Sequence, residues 1–343
     1  MDYKEVLNKA REILAPHCMV CRECNGVSCR GKVPGVGGKG TGNSFIRNYE
    51  YLANVKIVMD TIYENRGQDT STELFGHTFK APIFAAPIGG INVNYNNVLS
   101  ELDYATAVVT GTVKAGCAAF TGDGADDNYF NAPLTPIKSV NGMAVPTLKP
   151  WKNEKVLEKI KIAEEAGVMA LAMDIDSAGL VHLAKSGKPV FSKTVRELGE
   201  ITASTNIPFI PKGIMSAQGA EKAAETGAYG IVVSNHGGRV LDNTPATCEV
   251  LPEIRQAVGN KVKVFVDGGI RTGADVFKAL ALGADAVLIG RPYAIMAVGN
   301  GADAVQLYTE KLINELKDVM LMTGCSALDD ITPDRVLVKC GLE

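Results

Sequence analysis

The chain has 343 residues, 46% of them hydrophobic and 21% charged, with 36 glycines and a mean hydropathy of +0.07. That profile excludes a disordered, collagen-like or coiled-coil protein and leaves a globular one, either two ordinary domains or one α/β barrel with extensions. With 35 Lys and Arg against 38 Asp and Glu, a formal −3, bulk charge does not suit nucleic acid or an anionic membrane surface.

No apolar run reaches the roughly 18 residues that a membrane-spanning helix needs, so none is predicted. The opening Met-Asp-Tyr-Lys-Glu-Val has neither the basic start nor the apolar core of a secretory signal, which predicts the cytoplasm. Residues 2–14 have helical periodicity, with Val6, Leu7, Ala10, Ile13 and Leu14 on one side, and Pro16 stops that helix. Residues 15–44 are rich in Cys and Gly and read as loop or ligand-organised structure. Within them Cys18, Cys21, Cys24 and Cys29 have the spacing C-x2-C-x2-C-x4-C. Four thiolates so close suit Zn²⁺ or an iron–sulfur cluster, and the alternative is free thiols or a redox disulfide in a flexible arm. Cys117, Cys248, Cys325 and Cys340 read as buried thiols. Gly35-Val-Gly37-Gly38-Lys-Gly40 satisfies G-x-G-x-x-G, yet no strand precedes it, so it is read as a glycine loop and not a dinucleotide site. Residues 50–79 read as an irregular lead-in.

From residue 80 short apolar runs alternate with helical stretches. The predicted strands are 81–87, 116–121, 144–148, 170–176, 208–212, 230–234, 263–267 and 286–290. Helices are predicted over 153–166, 217–226, 248–258 and 273–282, with a long last one over 303–323, while the second unit (TGDGADDNYF) offers little helix. Strands apolar throughout need cover on both faces, as in a parallel sheet. Eight of them with intervening helices predict a (β/α)8 TIM barrel carrying an N-terminal helical and Cys/Gly-rich extension, divided as residues 1–79 and 80–343.

Active sites of such barrels lie at the C-terminal strand ends. Five consecutive ends here carry polar groups: Asp174-Ile-Asp176, Lys212-Gly213, Ser234-Asn-His236-Gly-Gly-Arg239, Asp267-Gly-Gly-Ile-Arg271 and Gly290-Arg291-Pro292. Caps and salt bridges would explain one or two of these. Gly268 and Gly269, a helix beginning near Thr272, Gly290, Arg271 and Arg291 together predict a phosphate site.

SNHGGRVLDNTPAT and DGGIRTGADVFKALALGADAVLIGRP resemble the FMN-dependent α-hydroxy acid oxidase and dehydrogenase family, of which glycolate and lactate oxidases are members. APIFAAPIGG, IPFIPKG and MTGCSALDDI are similar to it too, so the resemblance covers roughly residues 45–335. It implies an FMN-binding barrel and a homotetramer. It implies that Pro87, Ile88 and Gly89 approach the flavin edge near N5 and that Lys212 stabilises the reduced flavin at N1/O2. Ser234, Asp267, Gly268, Gly269, Arg271, Gly290 and Arg291 would complete the cofactor site. His236 would be the base, Asp176 the carboxylate that orients it, and Arg239 the fork for a substrate carboxylate.

The implied reaction is oxidation of an L-2-hydroxy acid to the 2-oxo acid, with an electron acceptor left unnamed. His17 falls in the Cys segment, whereas His77 and His182 read as surface or loop residues. The family's two substrate-binding tyrosines have no match. Lys149 stands near the second position, as a substrate contact or a solvated rim lysine, and Asp174 stands where the family often has threonine. Two alternatives follow: an isomerase resembling the FMN-dependent type 2 isopentenyl-diphosphate isomerases, and a non-enzymatic flavin and thiol electron-transfer protein.

Overall fold

The computed structural model describes residues 1–180, 183 and 186–338; His182 and Cys340 lie outside the described residues. Eight parallel strands close into a barrel in chain order. They are β1 (Ile83–Ala85), β2 (Ala118–Thr121), β3 (Ala144–Leu148), β4 (Leu171–Asp174), β5 (Phe209–Ile214), β6 (Gly230–Val233), β7 (Lys263–Asp267) and β8 (Ala286–Ile289). Each falls on its predicted apolar run, and the last pairs with the first through Val287–Ile83, Leu288–Phe84 and Ile289–Ala85.

Before the barrel lie α1 (Tyr3–Leu14) and α2 (Asn43–Asn54). Around it run α3 (Glu101–Lys114), α4 (Asn153–Glu165), α5 (Val195–Ala203), α6 (Ala217–Ala224), α7 (Thr247–Val258), α8 (Gly273–Ala281) and α9 (Arg291–Met322). Between β2 and β3 only the short helices Asn128–Asn131 and Leu134–Ser139 form, of four and six residues, in keeping with the little helix expected of the polar second unit. The last helix starts earlier than expected and breaks at Asn300–Gly301, where Gly301 has φ +59°.

Helix α2 departs from the irregular segment expected there. Its buried face includes the polar Ser44 and Asn48, which hide its apolar period. Asn48 is held by an amide exchange with Asn235, at 2.8 and 3.0 Å. Tyr3 of α1 stacks on Tyr308 of α9 with ring centroids 6.1 Å apart.

The strands bury both faces. Outward residues such as Ile83, Leu171 and Val264 pack under the helices. Inward residues pair large rings with small neighbours: Phe84, Phe120 and Phe265 against Ala118, Ala172 and Ala286. A hairpin of Thr72–Leu74 and His77–Phe79 drives Phe75 into the N-terminal end, where it stacks on Phe265 at 5.8 Å and 6°. Phe75 also meets Phe84 edge-on, so the lower end is filled. The opening is at the other end.

Candidate active site

The strand ends surround a cleft of ≈ 950 Å³, part of it open to solvent. At its base lies a buried ionic group. Asp174, at the end of β4, accepts from Lys149 Nζ at 2.6 Å and lies 3.0 Å from Lys212 Nζ, while Lys212 Nζ is 3.5 Å from Asp267 Oδ2. Burial alone would raise the Asp174 carboxyl, but the two ammoniums outweigh it and hold it well below the usual carboxylate range. Burial likewise disfavours the Lys212 charge, and Asp174, Asp267 and Asp176 overcome it and hold the lysine charged. Lys149 is therefore no solvated rim lysine: it is 4% exposed and ion-paired. Asp267 is pushed up by burial against the lowering by Lys212, and its Oδ1 has no hydrogen-bond partner.

His236 follows β6 with φ +56°, in the left-handed region that a non-glycine residue seldom occupies. Its Nδ1 lies 3.0 Å from Asp176 Oδ1 and 4.0 Å from Asp174 Oδ1. With a carboxylate as its acceptor, Nδ1 carries the proton and Nε2 keeps the lone pair. The opposed carboxylate is seated by Gly213, whose φ is +110° and where an added Cβ would stand 2.6 Å from Asp176 Cβ. Asp174, Asp176 and His236 offer ligand atoms within 4.8 Å of one another, but the Lys149 and Lys212 ammoniums already take the place a cation would occupy beside Asp174. Ser234 does not face the cleft. It is fully buried, and its Oγ accepts the His236 backbone N–H at 3.0 Å, so it positions the histidine.

Three arginines ring the mouth, and among the described residues none has a carboxylate partner. Arg239 Nη1 donates to Gly35 O and its Nη2 to Asn94 Oδ1 at 2.8 Å. Arg291 donates to Val36 O at 2.6 Å and to Gly37 O at 3.0 Å, and its guanidinium lies 3.7 Å from the Phe45 ring. Arg271 holds Cys24 O at 2.8 and 3.1 Å. The glycine loop thus lends its carbonyls to cations that want an anion. Burial, then the like charge of Arg291, pushes Arg239 down to about 10, the cost of gathering cations without counterions.

The phosphate expectation needs two corrections. The first N–H groups at α8 are already taken: Asp275 Oδ2 accepts from Arg271 N and Thr272 N at 3.0 and 3.1 Å, and Glu315 from Gly273 N at 2.8 Å. That helix end is satisfied internally. The glycines Gly268 and Gly269 line the cleft, yet they are required by α2, because a Cβ on Gly269 would fall 2.1 Å from Asn48 O. The helix N-terminus that opens on the cleft without a side-chain cap is that of α9, at Gly290 and Arg291. Across from it, Pro87, Ile88 and Gly89 form the wall after β1.

An uncapped helix end, arginines lacking carboxylates and the orphaned Asp267 Oδ1 fit a ligand with an anionic end and hydroxyl or ring N–H donors further in. FMN is such a ligand. Residues that no sequence pattern marked also line the cleft: Asn94, Tyr95 and Asp123. Asp123 accepts from Lys149 N at 2.9 Å and Trp151 Nε1 at 2.7 Å, and lies 3.2 Å from Lys159 Nζ. It was detectable as one more charge at a strand end, inside the glycine-rich run after β2. The four cysteines of the arm line a second cavity beside the first. His77 is exposed on the hairpin, and Cys117, Cys248 and Cys325 are buried thiols.

The profile of the FMN-dependent dehydrogenase family matches residues 36–189 and 178–338. A peroxisomal (S)-2-hydroxyacid oxidase of Arabidopsis thaliana is 33% identical over 305 residues, which cover 78% of this chain and 81% of the relative. An L-lactate oxidase of Roseobacter sp. (strain GAI101) is 30% identical over 335 residues, covering 87% and 88%. A crystal structure of mandelate oxidase with (S)-2-phenylpropionate superposes with a TM-score of 0.81 at 28% identity, over 100% of this chain and 99% of that one. By profile, relatives and barrel alike, the chain belongs to the FMN-dependent dehydrogenase family and is a flavin-dependent oxidoreductase.

Proposed function

We propose that the protein oxidises an L-2-hydroxy acid to the corresponding 2-oxo acid, with residues 80–343 as the flavin-binding barrel and residues 1–79 as an extension over its mouth. One observation carries the reading: a carboxylate-oriented histidine, His236 on Asp176 at 3.0 Å, stands beside half-buried arginines that have no carboxylate partner among the described residues. Bound FMN supplies a hydride acceptor at N5. Arg291 and the N-terminus of α9 hold its phosphate, and Lys212 stands ready for negative charge at the ring.

Arg239 binds the substrate carboxylate, which replaces the Gly35 carbonyl on its fork. His236 Nε2 takes the hydroxyl proton as the α-hydrogen departs, and Asp176 stabilises the imidazolium that results. Lys149 adds positive charge to the cleft wall from its pair with Asp174. The substrate is bound without the family's two tyrosines, so its side chain meets Leu180 and Tyr95 on the cleft wall.

No helix among the described residues is long and apolar enough to cross a membrane. Within this proposal the protein is a cytoplasmic homo-oligomer with an external electron acceptor, and a metal or cluster on Cys18, Cys21, Cys24 and Cys29 belongs to the same reading. The test is anaerobic titration of the flavin spectrum with a panel of L-2-hydroxy acids. Bleaching by one acid, abolished in His236→Ala with FMN still bound, is the expected result. Flavin that no acid bleaches would return the isomerase reading.

A further inference from the structure

We propose that Cys18, Cys21, Cys24 and Cys29 hold an iron–sulfur cluster that carries electrons away from the flavin. The four thiols are free, and all of them line one cavity of ≈ 490 Å³, partly open to solvent, together with His17. The segment that carries them is fixed through its backbone. Arg11 holds Met19 O at 3.3 Å and Val20 O at 3.0 Å, and Arg271 holds Cys24 O. Gly37 packs so closely that a Cβ there would fall 1.8 Å from Cys29 O. Carbonyls anchor the arm, and the long contact from Cys29 Sγ to Gly26 O, at 3.7 Å, is one that a ligand would replace.

The spacing of the sulfurs selects the kind of ligand. A tetrahedral Zn²⁺ with Zn–S of about 2.3 Å brings its four sulfurs to about 3.8 Å from one another. Here no three of the sulfurs lie within 4.8 Å of one another; among the described residues only Asp174, Asp176 and His236 meet that limit. Sulfurs spread more widely around one cavity than a single zinc ion holds them suit the larger frame of a multinuclear cluster. Arg291 and Lys32 line the same cavity and balance the negative charge of a tetrathiolate cluster.

The cavity also has the right neighbour. Val36, Tyr95 and Arg291 line both it and the flavin cleft, so one layer of side chains separates the two. The relay rests on the FMN reading above. Oxidation of the hydroxy acid releases two electrons and two protons. The electrons cross that layer singly, the cluster alternating between its oxidised and one-electron-reduced forms, and leave to an external one-electron carrier protein. The protons leave to solvent.

The test uses the full chain, purified anaerobically and assayed for iron, acid-labile sulfide and zinc, with electron paramagnetic resonance after dithionite reduction. Iron and sulfide together, with a reduced-cluster signal, are expected. Zinc without sulfide, or neither metal after anaerobic reconstitution with ferrous iron and sulfide, overturns the proposal. Cys21→Ser alters an exposed thiol, and Cys24→Ser gives an independent second variant. Both are expected to lose iron and sulfide and to slow reoxidation by cytochrome c relative to flavin reduction by the acid. Variants that retain iron, or that lose it with no change in reoxidation, refute the cluster or the relay respectively. Iron and sulfide in a protein whose flavin no hydroxy acid bleaches would support the cluster and count against the substrate reading alone.

Discussion

Lys149 Nζ and Asp174 Oδ2 lie 2.6 Å apart where both side chains are almost wholly buried. Lys212 closes on the other carboxylate oxygen, so one aspartate compensates two ammoniums. Removing it leaves Lys149 without its carboxylate in the interior and Lys212 with only the more distant Asp267, at 3.5 Å. Asp174→Asn is expected to cost about 3–5 kcal/mol of stability. Thermal denaturation of the variant checks this, and an unchanged midpoint would show that the pair is not compensating charge.

His236 depends on Asp176 for its tautomer, and Asp176 depends on the missing side chain at Gly213. His236→Ala is expected to slow flavin reduction by about 10²- to 10⁴-fold, with FMN retained. Gly213→Ala adds strain at φ +110° and displaces Asp176, so it should slow the same step at a stability cost of roughly 1–3 kcal/mol. Stopped-flow reduction of both variants tests the chain of support. Gly213→Ala reducing flavin at the native rate would break it.

Arg291 is the cation at the open end of α9. Arg291→Met should weaken FMN by about 10- to 100-fold, the worth of a charge-assisted hydrogen bond. Riboflavin, which lacks the phosphate, should lose far less. Fluorescence titration with both flavins decides the matter; an equal loss for the two would move the phosphate elsewhere.

Glu101 is buried at the start of α3, where Oε2 accepts from Ile91 N at 3.0 Å and Oε1 has no partner. Burial, opposed by the Ile91 and Gly90 N–H groups, pushes its carboxyl from 4.5 up to about 7. Between those values the folded chain binds more protons than the unfolded one, so this contribution is full below pH 4.5 and is lost as pH rises through about 7. Glu101→Gln should remove that decline and gain roughly 1–3 kcal/mol at about pH 8. Denaturant midpoints of both proteins from acid to alkaline pH provide the check, and parallel curves would contradict the assignment.

The barrel was legible because the strands are apolar on both faces over most of their length, and the polar strand ends were legible because they interrupt those runs. Asp174, Lys212, His236 and Asp267 do converge, as five charged ends on one rim suggest. What escaped was non-local. Helix α2 hides its period behind the buried Asn48, whose partner is 187 residues away. Gly268 and Gly269 resemble an anion cradle in sequence, but only the packed chain shows that α2 needs them. The carbonyls of residues 35–37 reach Arg239 and Arg291 from over 200 positions off, and no periodicity encodes such a contact.

Phe75 stacked on Phe265 closes the barrel from beneath. Among the described residues the cleft opens at the opposite end, beside the glycine loop whose carbonyls already rest on Arg239 and Arg291. Durability and turnover are assigned to opposite poles of the same cylinder. Trimming the lower aromatic rings should change how long the protein survives heating while leaving its selectivity intact, and rewriting residues 35–37 should do the reverse.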